Sequence, residues 1–225
     1  PNFRMTQERL NSLGRVRNYS GVFCQFSSKF DKLKRILSGE EDSPVPSSFN
    51  PDRSGGALMD IGIYPIYPMV SLFGEPSSIS ADITSCEVPC KGGMRPIDLQ
   101  GTVLFSYKDM AAVAKYSKIA DSLLRTEISG EGGILSLDQI HITRHVEFTK
   151  RGAPTSGRSS GPASMDISVP VDADEYLCEF REFIDVILSG RRESETNSLE
   201  TSLTVSRIMD ESRRQGGIQF PSDRP

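Results

Sequence analysis

Residues 54–74 read SGGALMDIGIYPIYPMVSLFG and hold the pattern that decides the fold of this chain. The apolar residues in this stretch recur at the spacing of one helix face, which predicts a helix with one buried side. The members of that face are Met59, Ile63, Ile66, Val70 and Phe73. Pro65 and Pro68 each remove an amide donor, so we expect the helix to kink or restart near Tyr64. Gly74 is expected to end it.

The pattern changes to alternation of apolar and polar residues after this helix, which predicts strands. The predicted strands cover residues 77–88, 97–107, 110–117, 123–129, 134–137, 141–150 and 165–171. Lys108 and Asp109 separate two of them as a hairpin turn. Because the strands follow one another closely, the sequence predicts a large, mainly antiparallel sheet.

The other regular segments are predicted from helical spacing, capping residues and glycine stops. Helices are expected at 6–14, 29–37, 174–189 and 198–215, and one more strand at 15–27. Val103-Leu-Phe105 carries apolar side chains on both faces of a strand. One face of the sheet should therefore meet helices and the other should meet another subunit or domain. The predicted fold class is α+β, an open, mostly antiparallel sheet with helices on one face.

The length of 225 residues suits a single domain with a sizeable core, so we expect one domain over 1–225. Two stretches rich in Pro, Gly and Ser, at about 38–54 and 151–164, are predicted to be flexible loops. The chain has 26 basic and 30 acidic residues and a net charge of -4, which argues against a nucleic-acid partner. The longest apolar stretch, 61–73, is shorter than the ~20 residues that a membrane helix needs, so no membrane span is expected.

Cysteine and histidine residues give no sign of a metal site or a disulfide framework. The four cysteines are Cys24, Cys86, Cys90 and Cys178. Four thiols are too few for a stapled secreted scaffold, so we expect a cytoplasmic protein. His141 and His145 fall on a predicted strand, where residues four apart lie about 13 Å from each other and cannot hold one ion. We therefore expect no metal and two solvent-facing histidines.

Asp60 and Tyr64 are the candidate pair for chemistry, because residues four apart lie on the same side of a helix. Glycines at 55, 56 and 62 allow a ligand or another backbone to approach closely. A helix tyrosine more often packs, and an aspartate near a helix start often serves the helix dipole. Tyrosine has a reference pKa of about 10, so it needs a cationic neighbour to act as a general acid. The motif itself contains no such cation.

Residues 54–67, followed by Leu72-Phe-Gly-Glu-Pro76, resemble the hallmark helix of the Gfo/Idh/MocA family of NAD(P)-dependent oxidoreductases. Further pieces agree in order: Tyr116-Ser-Lys118, Glu127-Ile-Ser-Gly-Glu-Gly-Gly133, Tyr176-x3-Phe180-x2-Phe183 and Gly217-Ile-Gln-Phe-Pro221. The resemblance is to the second domain of the family and covers nearly the whole chain. It implies an open sheet of the glyceraldehyde-3-phosphate dehydrogenase-like C-terminal domain class, which binds substrate and forms a homodimer through the sheet face.

The resemblance also implies roles for the site residues. The Asp-x3-Tyr motif is similar to the dimeric dihydrodiol dehydrogenase and xylose dehydrogenase branch, whereas many other members have Asp-x3-His. In that branch Tyr64 would exchange a proton with the substrate hydroxyl, and Asp60 would orient the substrate or a catalytic lysine. Lys118 and Tyr67 are candidate substrate-binding residues.

The implied cofactor is NAD or NADP, bound mainly by a Rossmann domain that would precede Pro1 together with a Glu-Lys-Pro segment carrying the lysine. The chain lacks a glycine-rich dinucleotide turn, which agrees with this arrangement. We therefore expect the substrate domain of an oxidoreductase acting on a sugar, polyol or cyclic diol, inactive alone. Two alternatives stay open: a non-catalytic dimerising or binding module, and a non-redox isomerase or hydro-lyase.

Overall fold

The computed structural model describes residues 1–152, 164–171 and 176–223 of the chain. Most of the predicted loop 151–164 lies outside the described residues. The helices within them are α1 (Asn2–Arg9), α2 (Ser28–Leu37), α3 (Ile63–Phe73), α4 (Tyr176–Leu188) and α5 (Leu199–Gln215). The strands are β1 (Val16–Cys24), β2 (Ser78–Cys90), β3 (Gly93–Ser106), β4 (Ala111–Ser117), β5 (Thr126–Gly130), β6 (Gly133–Leu137), β7 (Val146–Lys150) and β8 (Ser164–Asp166).

The strands form one open sheet in the order β2-β3-β4-β1-β5-β6-β7-β8. β1 and β4 run parallel, whereas the other neighbouring pairs run antiparallel. Ile66 and Met69 of α3 and Ile208 of α5 share one core cluster with Tyr19 and Val103 of the sheet. The two helices therefore cover one face of the sheet. The predicted α+β fold with a mostly antiparallel sheet is confirmed.

The helix under this face changes type close to the predicted restart. Leu58–Gly62 form a π-helical turn, and α3 continues from Ile63. Pro65 lies in the first turn of α3, directly after the π-helical turn, and has no amide to donate. Pro68 lies inside the helix, and Gly74 ends it with a φ of 74°. The restart predicted near Tyr64 therefore lies at Ile63.

The whole helical run is longer than the apolar stretch considered from the sequence. Pro51–Phe73 comprise 23 residues with a mean hydropathy of 1.3, so length and composition alone would allow this run to cross a membrane. In the fold, however, 56% of the run's apolar window is buried inside the protein. Leu58, Ile66 and Met69 are fully buried. In this structure residues 58–73 of the run form the core helix of the domain.

The first helix begins earlier than the predicted segment 6–14. Asn2 lies at its start and is buried. Its side-chain amide donates to the backbone carbonyls of Thr143, Arg144 and Val169, which hold the start of the helix in place. Thr6, the first residue of the predicted segment, lies inside the helix and its hydroxyl donates to the Asn2 carbonyl. A 3-10 turn follows α1 and ends at Gly14, whose φ is 63°. The glycine stop was thus correctly placed and the start was not.

The predicted strand over 141–150 is wrong in its first half, because β7 begins only at Val146. Asp138 explains the difference. Its Oδ1 accepts a hydrogen bond from the backbone N–H of Arg144 at 3.0 Å, which closes a loop over the intervening residues. Carboxylates that bind nearby backbone amides in this way compete with strand pairing. His141 therefore lies on a loop and not on a strand.

The predicted exposed loop 38–54 is held against the core. It contains two 3-10 turns, Ser47–Phe49 and Pro51–Arg53. Phe49 is fully buried and Val45 is 8% exposed, and both belong to a second core cluster beneath β2 and β3. These two apolar side chains in a polar stretch bring part of the loop against the core, and the flexibility of 38–54 stays a prediction.

Candidate active site

Asp98 of β3 holds the start of the core helix from the side of the sheet. Its Oδ2 accepts a hydrogen bond from the Leu58 N–H at 2.6 Å. Burial raises the pKa of this carboxyl to about 6, and the positive charge of Lys118 acts in the opposite direction. A carboxylate at this position satisfies a helix amide and faces the positive end of the helix dipole. Reasoning from the sequence missed Asp98, because a strand residue gives no local sign that it caps a helix.

The glycines around the same turn leave room for the chain itself. A Cβ atom on Gly56 would lie 2.0 Å from Oδ1 of Asp98, and Gly56 has a φ of 117°. A Cβ atom on Gly62 would lie 3.2 Å from the ring of Tyr116. Gly55 is approached by backbone atoms of the preceding loop. The sequence predicted that a ligand or another backbone approaches these glycines closely. At each of the three positions the neighbour is a side chain or backbone segment of the protein itself.

Asp60 and Lys118 are brought together from distant parts of the sequence. Lys118 follows β4, and its Nζ forms an ion pair with Oδ2 of Asp60. The Lys118 side chain is 5% exposed and that of Asp60 is 48% exposed. The lysine ammonium also lies 4.8 Å from the centre of the Phe49 ring, a cation–π contact. Asp60 thus faces solvent on one side and a buried cation on the other.

Tyr64 lies one turn after Asp60 in an aromatic cluster with Phe23 and His141. Its ring centre is 5.2 Å from that of Phe23 and 5.8 Å from that of His141, both in edge-to-face arrangements. The rings of Phe23 and His141 are 4.2 Å apart. Tyr64 is 41% exposed, so its ring is supported while part of it stays accessible.

His141 is a site neighbour that the sequence interpretation treated as a solvent-facing strand residue. The loop closed by Asp138 turns its ring onto Phe23 of β1. Asp138 precedes the histidine by three residues, and an aspartate, whose side chain can bind nearby backbone amides, is the local signal of such a loop. The prediction of a solvent-facing histidine is corrected at this position.

Tyr67 points to another part of the fold. Its hydroxyl donates to Oδ1 of Asn197 at 2.8 Å, in the segment before α5. Tyr67 and His141 both line a surface cavity of about 780 Å³. The structure therefore joins Asp60 to Lys118 and places Tyr64 beside His141, whereas the hydroxyl of Tyr67 is bound elsewhere. The roles of these residues in catalysis or substrate binding stay predictions.

The start of the core helix, the one site among the described residues where glycines meet a helix N-terminus in the way this fold class would use, does not fit the phosphates of a dinucleotide. A pyrophosphate binds a helix N-terminus through free amides and close glycine backbone. At the start of the core helix, the carboxylate of Asp98 already accepts from the Leu58 N–H, and its negative charge would repel a phosphate. The space above Gly56 is filled by the same carboxylate. No step of the chemistry can therefore be derived from a cofactor held at this helix.

Within the three described ranges of the chain, no group of three or more His, Cys, Asp or Glu side chains is placed to hold a metal ion. The cysteines are free thiols. Cys86 lies on β2, whereas His141 lies on the loop before β7.

Comparison with known proteins agrees with this architecture. The sequence pattern of the family described as "GFO/IDH/MocA C-terminal domain" matches residues 9–136. A scyllo-inositol 2-dehydrogenase (NADP(+)), IolU, from Bacillus subtilis (strain 168) is 36% identical over 99% of this chain and 61% of its own length. A trans-1,2-dihydrobenzene-1,2-diol dehydrogenase from Xenopus tropicalis is 26% identical over 84% of this chain and 56% of its own length.

Solved structures show the same fold. The levoglucosan dehydrogenase in complex with NADH and levoglucosan aligns with a TM-score of 0.67 at 16% sequence identity, over 95% of this chain and 63% of that one. The chain thus spans about 60% of the length of the relatives and structures that it matches. The family match covers more than half of the 225 residues. The chain therefore belongs to the GFO/IDH/MocA family, whose C-terminal domain it matches.

Proposed function

We propose that this chain forms the substrate side of an NAD(P)-dependent oxidoreductase that acts on the secondary alcohol or carbonyl of a sugar, polyol or cyclic diol. The observation that carries the proposal is the pair of half-exposed residues Asp60 and Tyr64, one turn apart on the core helix, with Asp60 paired to a buried cation. A carboxylate and a phenol in this arrangement can hold a hydroxyl group and move its proton.

The names of the relatives support the substrate class. IolU is named for an inositol, which is a cyclic polyol, and the Xenopus protein is named for a cyclic diol. Both names describe oxidation of a ring carbon that bears a hydroxyl group. The name of IolU specifies NADP, and the name of the Xenopus protein specifies no cofactor. The proposal therefore leaves the choice between NAD and NADP open.

Nicotinamide supplies one piece of chemistry, the acceptance or donation of hydride. The residues of this chain manage the proton. In the oxidative direction Tyr64, as phenolate, takes the proton of the substrate hydroxyl, and in the reductive direction its phenol returns one. The Asp60 carboxylate accepts a hydrogen bond from a substrate hydroxyl and thereby fixes its orientation.

A tyrosine that works as a phenolate needs a neighbouring cation. Lys118 is bound to Asp60, so we assign the cation for Tyr64 to the lysine of the Glu-Lys-Pro segment that the family resemblance implies. The dinucleotide phosphates are likewise assigned to a Rossmann domain outside residues 1–225. The filled helix start at Asp98 supports this assignment, and so does the greater length of the relatives.

We also propose that residues 1–225 act as a single substrate-binding and dimerisation domain of a cytoplasmic protein. The face of the sheet opposite α3 and α5 carries Leu104, which is 55% exposed, and Ile134, which is 37% exposed. Val113 lies opposite Leu104 in the ladder and extends this apolar strip. A second copy of the same face would cover it. Light scattering should show a dimer at micromolar concentration and a monomer for Leu104→Lys; a monomeric wild type would contradict this proposal.

The test of the proposed function uses the complete gene product with NAD⁺ or NADP⁺. The substrates are a panel of inositols, aldoses and trans-cyclic diols, and the absorbance of reduced nicotinamide reports turnover. We expect reduction with at least one class of the panel. Failure of the complete protein to bind either cofactor would overturn the proposal in favour of a binding module. Conversion of a substrate without net change in cofactor would overturn it in favour of an isomerase or hydro-lyase.

A further inference from the structure

Lys118 is held rigidly by the backbone on both sides. Its N–H donates to the Leu99 carbonyl at 3.0 Å, and its own carbonyl accepts from the Ser27 N–H at 2.9 Å. The residue therefore bridges β3 and the segment after β1, although it lies just beyond β4. Its side chain, at 5% exposure, runs inward from this fixed point. The position of the ammonium is thus set by the sheet.

A buried ammonium is costly unless negative groups compensate it. Three groups do so for Lys118. Asp60 forms the ion pair, and the ring face of Phe49 lies 4.8 Å away. The lysine charge also acts on Asp98, whose carboxyl lies at the start of the core helix. The cation therefore connects two carboxylates that serve different purposes: Asp98 anchors the helix, and Asp60 faces solvent.

We propose that Lys118 is a positioning residue that fixes Asp60 for substrate orientation, and that it does not itself contact the substrate. This inference rests on the proposed function and deepens it. A ligand arriving from solvent meets the half-exposed carboxylate of Asp60 before the buried ammonium. With the ammonium on one oxygen, the Asp60 carboxylate keeps a single orientation. Reaction geometry is sensitive to such orientation, because small misplacements cost large factors in rate.

A double-mutant cycle in the complete gene product separates positioning from a general structural role. The variants are Lys118→Met, Asp60→Asn and the combination, with kcat and KM measured for each. Lys118→Met should lower kcat/KM by about tenfold or more in the wild-type background and have little effect in the Asp60→Asn background. Equal losses in both backgrounds would overturn the proposal, because Lys118 would then act independently of Asp60.

Lys115→Met is the matched control, since Lys115 lies three residues earlier on β4 with an exposed side chain. It should leave kcat/KM unchanged. A loss equal to that of Lys118→Met would overturn the proposal, because any lysine of this strand would then have the same effect. A wild-type level of activity in Asp60→Asn would instead remove Asp60 from the proposed function.

An NMR titration of the 225-residue chain tests the same placement without turnover. Asp98 is faced by Lys118 and Tyr116 from the β4 side, and by backbone amides of the helix start. Removal of the ammonium in Lys118→Met should move the Asp98 pKa above its wild-type value of about 6. Lys115→Met should leave it in place. An unchanged Asp98 titration in Lys118→Met would overturn the proposed arrangement of charges.

Discussion

Helix α3, which forms most of the core helix, and the later helix α4 have similar sequence patterns but different surroundings in the fold. Both carry large apolar side chains at helical spacing. In α3, Ile66 and Met69 are fully buried against the sheet. In α4 no residue is buried, and Phe180 and Phe183 are 61% and 63% exposed. An apolar stripe therefore predicts a helix, but the rest of the chain decides whether that stripe is covered.

Specific polar contacts distinguish the covered helix. The hydroxyl of Tyr19 in β1 donates to the Pro65 carbonyl at 2.7 Å, and Asp98 of β3 accepts from the Leu58 N–H. These two bonds tie the helical run to two strands of the sheet. The helix that carries Asp60 is thus located by both apolar packing and buried hydrogen bonds, and substitutions along it should have larger effects than those along α4.

The largest effect on stability is expected for Gly56→Ala. The new Cβ atom would lie 2.0 Å from Oδ1 of Asp98, at a φ of 117°. Both strain and loss of the helix anchor should reduce the free energy of unfolding by about 4 kcal/mol or more. Gly74→Ala is the control, since Gly74 has a φ of 74° and no atom within 4 Å of the new Cβ. It should cost about 1–2 kcal/mol in urea denaturation, and equal losses for the two variants would contradict this account.

Ile66→Ala should have the next largest effect. Ile66 is fully buried between α3 and the sheet, so truncation removes apolar contacts and leaves a cavity. We expect a loss of about 3 kcal/mol in the free energy of unfolding, measured by urea denaturation. A loss below about 1 kcal/mol would mean that the packing of α3 is looser than the structure indicates.

Asp98 should make stability depend on pH. Its folded-state pKa is about 6, above that of an unfolded aspartate, which is about 3.9. As pH rises from about 4 to about 6 the unfolded chain releases this proton first, so the contribution to stability falls over that window by about 1–2 kcal/mol. Asp98→Asn should remove this decline, so between about pH 4 and about pH 6 the unfolding free energy of the variant should fall less than that of the wild type. An identical pH profile for the two proteins would contradict the raised pKa.

Phe183→Ala should have the smallest effect. Phe183 lies on the exposed stripe of α4 at 63% exposure, so its truncation removes few contacts within the described residues. The expected change in the free energy of unfolding of the 225-residue chain is below about 1 kcal/mol. A loss as large as that of Ile66→Ala would show that α4 is covered as tightly as α3 and would end the contrast between them.

Local signals predicted much of the fold. The helix predicted over 198–215 begins where expected: Ser198 caps α5, and its hydroxyl accepts from the Thr201 N–H at 3.2 Å. The turn at Lys108-Asp109 was likewise predictable from the two-residue spacing between strands, and the stop at Gly74 from residue type. Such features depend on neighbours within a few residues of the chain, which the sequence displays directly.

Features set by distant neighbours escaped prediction. The predicted strands end at residue 88 and resume at 97, yet β2 and β3 continue through Pro89 and Pro96 to a turn at Lys91-Gly92. β2 is an edge strand, and Pro96 lies beyond the residues of β3 that pair with β4, so neither missing amide disturbs a second ladder.

The candidate site divides in the same way. The helical spacing of Asp60 and Tyr64 was visible in the sequence, because the two residues lie only four positions apart. The ion pair of Asp60 with Lys118 joins residues 58 positions apart. The contact of His141 with Phe23 likewise depends on a loop that Asp138 closes. Contacts of this kind follow from the folded sheet and not from local pattern.

The role of Tyr64 as the group that exchanges the substrate proton is the central claim, and Tyr64→Phe tests it most directly. The variant keeps the ring that packs on Phe23 and removes only the hydroxyl. Tyr107→Phe is the matched control, because the Tyr107 hydroxyl donates to the Gly74 carbonyl at the far end of α3. In the complete gene product with its preferred substrate, kcat should fall about 10²–10⁴-fold for Tyr64→Phe and stay unchanged for Tyr107→Phe. A wild-type kcat in Tyr64→Phe would contradict the account.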